Sequence, residues 1–259
     1  MTKIARYSHA GAVRHGVVRG DMVQPMDGTF PDLVETGEAP VPLAEVRLLA
    51  PVVPSKIIAI GPGYKAHFKG NAVPFARAHF WIKPTSTLLD PEGVIELPAD
   101  VPMTCHESEL AVVIGRRASN VPVESALDHV YGYTCINDVT VGNMLDPADF
   151  IASQWFVDGK IFDTFGPLGP WIETELDTTD LRIQCRVNGE TRQDHRTSDR
   201  IWPLAEVIHR ISTFMTLEPG DVIGTGSPPG VGPIVDGDVI EVEVEGIGVL
   251  RNSARNKAG

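Results

Sequence analysis

Cleanly alternating short runs, abundant chain-breaking residues and a single well-formed amphipathic helix pattern predict a mixed, mostly β protein with a few short helices. The 259 residues include 25 Gly and 21 Pro, which cut the chain into pieces suited to brief strands. Alternation is clearest over 182–187 and 238–250, where apolar residues fall on one side and polar residues on the other. Helical spacing is clear only where Leu204, Val207, Ile208 and Ile211 recur after Pro203.

Two strand-like runs, 3–7 and 16–23, open the chain before Pro25, Asp27, Gly28 and Pro31 break the pattern, and 37–42 reads as a linker. The expected organisation is a small N-terminal β domain over 1–45 and a second, larger domain over 46–259. The apolar run 56–60 reads as a buried strand, and 107–114 as another that Gly115 closes. A short helix is expected over 124–130, followed by an apolar-aromatic strand over 131–136 that ends at Asn137-Asp138. Asp146-Pro147 is a cap followed by proline at the first helical position, so a second short helix is expected to about 153. The strand over 182–187 runs into Asn188-Gly189, a strong hairpin signal. His209 lies off the apolar stripe of the 204–211 helix and is expected to be exposed. In the last run Ile240, Val242 and Val244 point inward, while Glu241, Glu243 and Glu245 form a solvated strand face.

Charge narrows the function. Thirty-four acidic against 22 basic residues give a formal charge of -12, which disfavours nucleic acid and anionic membrane surfaces as partners. Cys105, Cys135 and Cys185 are odd in number and form no CxxC pair, so no disulfide framework is implied. The first residues lack an apolar signal core, and no stretch approaches 18 uninterrupted apolar residues; a soluble, cytoplasmic protein is expected.

The loop Gly61-Pro-Gly-Tyr-Lys-Ala66 matches a dinucleotide fingerprint by spacing, but Gly70 and Pro74 interrupt the long helix that fingerprint requires. No serine sits in a G-x-S-x-G elbow and no phosphate-loop spacing occurs. Strand period 2 points Glu107 and Glu109 to one face while Leu110, Val112 and Ile114 fill the other. Such a pair is either a solvated polar face or, with Asp138 nearby, a site for a hard cation, Mg2+, Mn2+ or Ca2+, rather than zinc.

Several longer motifs occur together in order: Gly61-x-Gly-Tyr64-x-x-His67, Lys83-Pro84-Thr85, Glu107-x-Glu109 through Gly115, Asn137-Asp138-Val-Thr140, Gly159-Lys160-x-x-Asp163, Val187-Asn-Gly-Glu190, and Leu217 through Thr225-Gly226 to Gly232. Over about 56–252 this pattern resembles the fumarylacetoacetate hydrolase family. The resemblance implies a β-roll catalytic domain, usually a homodimer, with a small N-terminal domain. It also implies Mg2+ or Mn2+ held by Glu107, Glu109 and Asp138, Lys160 beside a developing oxyanion, and His67 as general base. Tyr64, Lys83, Thr225 and Gly226 fall at substrate-binding positions, and the implied substrate is a small dicarbonyl molecule that chelates the metal.

Two departures carry information. Many members place a glutamate three residues after the histidine, where this chain has Gly70. Many acylpyruvate-cleaving members carry an arginine and a glutamine where Gly142 and Asp146 stand, so the usual grip on a substrate carboxylate is missing. The resulting expectation is a metal-dependent hydrolase cleaving a C–C bond in a β-diketone or acylpyruvate-like substrate, with neutral diketones preferred. An isomerase or decarboxylase of 2-oxo diacids is the alternative, and a non-catalytic binding protein a third. The segment from Phe68 to His79, with Phe68, Phe75 and Phe80, is expected to close over the substrate.

Overall fold

The first runs of the sequence form a meander of antiparallel strands, Lys3–His9, Ala12–Arg19, Met22–Thr29 and Asp32–Glu35. They belong to a computed structural model that describes residues 1–73, 75–142 and 158–257. The run expected as one strand over 16–23 instead crosses a turn at Gly20 and Asp21, because Gly20 takes a positive φ of 61° and Arg19 pairs with Met22. The next strand passes through Pro25, whose carbonyl still accepts from Thr36 N at 2.9 Å. Two further segments, Val41–Pro42 and Arg47–Leu49, pair back onto Met22–Thr29 and Lys3–His9.

Lys3–His9 then joins the strand Gly166–Glu173, and the sheet continues through Val130–Asn137, Ser108–Ile114, Val222–Gly224, Ile57–Gly61 and His79–Lys83. A separate five-stranded sheet contains Val94–Leu97, Gly248–Asn256, Val239–Val244, Arg182–Val187 and Glu190–Arg196. Its central hairpin turns at Asn188 and Gly189 with φ of 52° and 79°, as the sequence predicts. Ile183, Cys185, Val187, Ile240, Val242 and Val244 are all buried and pack with Leu110 and Cys135 of the large sheet. Each such side chain contributes about 1.5–3 kcal/mol by leaving water. The glutamates point outward as expected and are paired on that face: Glu241 and Glu243 accept from Arg186 at 2.9 and 2.6 Å, and Glu245 accepts from the backbone N–H of Arg182.

The opposite side of the large sheet is covered by the helix Leu204–Phe214, whose Val207, Ile208 and Ile211 pack on Ile58, Val112 and Ile223. Squeezed between these layers, Ser108–Ile114 is buried along its whole length, which explains its unbroken apolar stretch. His209 is not exposed as expected. Its Nδ1 donates to the Val121 carbonyl at 2.7 Å and ties the helix to the segment just before the 3-10 turn Val123–His129, which occupies the short helix expected over 124–130. The helix expected over 146–153 lies outside the described residues, as does Asp146.

Candidate metal centre and active site

The site lies where the long buried strand begins. Thr104–His106 and Ser108–Ile114 belong to different sheets, and Glu107 occupies the break between them. Glu107 and Glu109 therefore do not share one uninterrupted strand, contrary to the period-2 expectation, yet they still converge. Backbone bonds arrange this: Asn137 Oδ1 accepts from Glu107 N at 2.8 Å, and the Glu107 carbonyl accepts from Asp138 N at 2.9 Å. One oxygen each of Glu107, Glu109 and Asp138 lies within 4.8 Å of the others.

Glu109 is fully buried. Its Oε2 accepts from Gly226 N at 2.9 Å, while Oε1 has no described hydrogen-bond partner. Gly224 makes room for this carboxylate, since a Cβ there would stand 2.6 Å from Oε2. Burial first, and then the charges of Asp138 and Glu107, push the Glu109 carboxyl well above the usual carboxylate range. Asp138 differs although it is equally buried: Lys160 and Lys83 outweigh the burial and hold its carboxyl below that range.

Lys160 Nζ donates to Glu107 Oε2 at 2.9 Å, to Asp138 Oδ2 at 2.7 Å and to the Asp138 carbonyl at 3.3 Å. All three of its protons are thus engaged, and it sits 5.6 Å from the Trp81 ring centroid, within cation–π reach. Burial alone would lower its pKa, but the three carboxylates raise it, so Lys160 stays charged. Lys83 lies behind the site: it is fully buried, donates to Asp138 Oδ1 at 2.5 Å and to the Val139 carbonyl, and burial pushes its pKa down.

The residues fit a divalent cation. The donors are all oxygen, three carboxylates face two ammonium groups, and Glu109 Oε1 is a buried acceptor lacking a donor. In the metal-free protein a proton on Glu109 would balance that one excess negative charge, consistent with its raised carboxyl.

A cavity of about 640 Å³ opens in front of Glu107 and Lys160, walled by Ile60, Phe68, Phe75, Phe80, Trp81 and Val231. His67 also faces it, from the 3-10 turn Lys65–Phe68. Its Nε2 lies 2.8 Å from the Ser227 carbonyl, and because a carbonyl only accepts, Nε2 carries the proton and neutral His67 keeps its lone pair on Nδ1. The turn ends at Lys69 and Gly70, with φ of 49° and 84°. At the position where the resemblance implies a glutamate, this chain uses the left-handed backbone to stop the turn.

Other expected substrate contacts are placed differently. Tyr64 is buried in the core with Cys185 and Val242, directly before the turn Lys65–Phe68, and it is not among the cavity-lining residues. Neither is Lys83. Thr225 Oγ1 donates to the Leu110 carbonyl at 2.8 Å, and the Gly226 amide serves Glu109. Gly142 packs so that a Cβ would lie 2.7 Å from Cys105 Sγ, leaving no room on that side for a larger residue. Sequence reasoning missed Asn137 and Ser227. Only Asn137, next to Asp138 at a strand end, carried a local signal.

Fold and site together define a mostly β protein with a carboxylate cluster able to hold a divalent metal. The chain belongs to the fumarylacetoacetate hydrolase family: residues 56–255 match the Fumarylacetoacetate (FAA) hydrolase C-terminal family, and 2–51 match the Rv2993c-like, N-terminal family. Protein Rv2993c of Mycobacterium tuberculosis is 38% identical over 98% of each chain. Oxaloacetate tautomerase FAHD2B of Homo sapiens is 38% identical, over 82% of this chain and 70% of its own length. Among solved structures, 2-hydroxyhepta-2,4-diene-1,7-dioate isomerase from Mycobacterium marinum superposes with a TM-score of 0.90 at 35% identity, over 100% of each chain. Maleylpyruvate hydrolase from Sphingobium sp. SYK-6, in complex with manganese(II) and pyruvate, gives 0.80 at 33% identity, over 99% of this chain and 100% of the other. The family is thus one of enzymes that includes hydrolases, isomerases and tautomerases. Among the described residues, no helix is long and apolar enough to cross a membrane.

Proposed function

We propose that this protein is a Mg2+- or Mn2+-dependent enzyme that moves a proton on an enolisable 2-oxo acid, as a tautomerase or isomerase. The observation that carries this reading is the setting of His67. Its ring is held by a carbonyl and, among the described residues, by no carboxylate. An imidazole so held can take a proton at Nδ1 and return it, which is all an enol–keto shift requires. Activating water for C–C cleavage leaves a long-lived imidazolium that a carboxylate would normally stabilise.

Glu107, Glu109 and Asp138 would hold the cation, which when bound supplies Lewis-acid polarisation of a carbonyl and charge neutralisation. Lys160, with its donors engaged, keeps a fixed positive charge at the cavity floor. Phe68, Phe75, Phe80 and Trp81 give the cavity an apolar wall beside the site.

Gly142 alone argues for a neutral diketone. Against it, Lys65, Lys69 and Arg77 are exposed beside the cavity, and none makes an ion pair among the described residues. A cationic rim on a chain of net charge -12 draws anions locally, which favours a 2-oxo acid. C–C hydrolysis is the second reading, favoured by a cavity whose volume of about 640 Å³ leaves space for a substrate larger than a short 2-oxo acid.

One experiment separates the two readings. Oxaloacetate, acetylpyruvate and a neutral 1,3-diketone are incubated in D2O with saturating Mg2+ and followed by ultraviolet absorbance and NMR. Proton transfer predicts fast decay of enol absorbance and deuterium at the α-carbon with the chain intact. If two fragments appear as fast as deuterium enters, hydrolysis is the activity.

A further inference from the structure

Gln193 lies on Glu190–Arg196, a strand of the five-stranded sheet that contributes none of the site residues named so far, and it is 1% exposed. Its side-chain amide bonds in both directions. Oε1 accepts from Ser108 N at 3.1 Å, from Ser108 Oγ at 3.1 Å and from His106 Nδ1 at 3.0 Å. Nε2 donates to Ser227 Oγ at 2.8 Å and to the Pro228 carbonyl at 2.7 Å. A backbone N–H at one end and a backbone carbonyl at the other fix which amide atom is oxygen. Both Nε2 protons are used, so every donor is spent.

The partners at each end belong to the site. Ser108 stands between Glu107 and Glu109. Ser227 offers the carbonyl that holds His67. The loop is held on its near side by Gly226, whose amide serves Glu109, but beyond Ser227 it has no amide protons to place it at Pro228 and Pro229. It also rests directly on the strand of Gln193: Gly230 has φ of 102°, and a Cβ there would lie 2.3 Å from the Arg192 carbonyl and 3.1 Å from Gln193 Cγ.

We propose that Gln193 is a positioning residue that joins the two halves of the site, holding the Ser227–Pro228 loop so that the Ser227 carbonyl fixes the Nε2–H tautomer of His67. Its effect on turnover rests on the reading of His67 given above; its effect on the His67 ring does not.

The test uses Gln193→Glu, which keeps the size and the acceptor toward Ser108 but cannot donate to Pro228. Ser227→Ala, which removes only the hydroxyl, is the milder companion should the first variant fold poorly. The full chain is labelled with 15N at histidine, and the His67 ring nitrogens are assigned against His67→Ala. Wild type is expected to show Nε2 protonated and Nδ1 bare, and Gln193→Glu a mixture of the two tautomers. Partners that orient a functional ligand typically matter by about 10–100-fold, and a fall of that size is expected in kcat with KM and Mn2+ affinity little changed. Ser227→Ala should fall between. Unaltered His67 nitrogens in both variants would overturn the proposal. If the nitrogens change while His67→Ala keeps full turnover, the positioning role stands and the functional reading of His67 fails.

Discussion

At the scale of single residues, Glu109 shows most directly what the site needs. Its carboxyl is raised by burial and by two neighbouring carboxylates, so the folded protein binds that proton more tightly than the unfolded chain does. From the ordinary carboxylate value of about 4.3 up to the raised one, the folded state therefore carries more protons, and the stability of metal-free protein falls as pH rises. Glu109→Gln removes the titration. With chelator present, thermal unfolding of wild type should lose ground to Glu109→Gln as pH climbs through this window, and excess Mn2+ should reverse the order, because the variant has lost a ligand. Parallel curves in chelator would show that Glu109 does not carry the excess charge. Asp138 is the opposite case, since it neutralises both buried lysines. Asp138→Ala should abolish Mn2+ binding by titration and also cost about 3–5 kcal/mol in denaturant unfolding, because Lys83 would be left buried without its partner.

At the scale of elements, the loops that carry Gly63 and Gly226 are held by the strands Ile57–Gly61 and Val222–Gly224. Asp221, fully buried at the start of Val222–Gly224, accepts from Ser55 N and Oγ at 3.1 and 2.6 Å, from Lys56 N at 3.1 Å, from Glu218 N at 2.7 Å and from Lys56 Nζ. This one carboxylate locks Val222–Gly224 beside Ile57–Gly61 in parallel register. The far ends of those two strands deliver Gly226 and Gly63, whose backbones meet so closely that a Cβ on either would lie within 2.7 Å of the other. Asp221→Ala leaves Lys56 and three amides short of an acceptor and should cost about 3–5 kcal/mol. Protein that remains folded should still bind Mn2+ as wild type does, because no ligand is touched. Weakened binding in that folded fraction would mean that Asp221 shapes the metal centre itself.

At the scale of the whole molecule, two charge patterns oppose each other. The chain carries -12 overall, and its centre buries three carboxylates against two lysines. A divalent cation completes that centre only in the folded state, so it shifts unfolding by mass action, by about 2.7 kcal/mol at a hundred times Kd. Mn2+ at that level should raise the melting temperature of wild type and leave Asp138→Ala unmoved. An equal rise in both would place the cation elsewhere on the acidic surface.

Alternation and turn chemistry in the sequence were enough to determine the hairpin of Arg182–Val187 and Glu190–Arg196, because period 2 and an Asn-Gly turn act between neighbours in the chain. The same holds for the buried strand Ser108–Ile114 and the helix Leu204–Phe214, whose apolar spacing is local, and the acidic triad was legible through its motif. Which groups meet across the fold was not. Lys83 and Tyr64 occupy motif positions next to the site, yet one is turned behind Asp138 and the other into the core, because burial depends on which sheet covers a strand. Gln193 reaches Ser108 across 85 residues and Ser227 across 34. Hydrogen bonds act only within about 3 Å, and no sequence pattern records a proximity that sheet stacking alone creates.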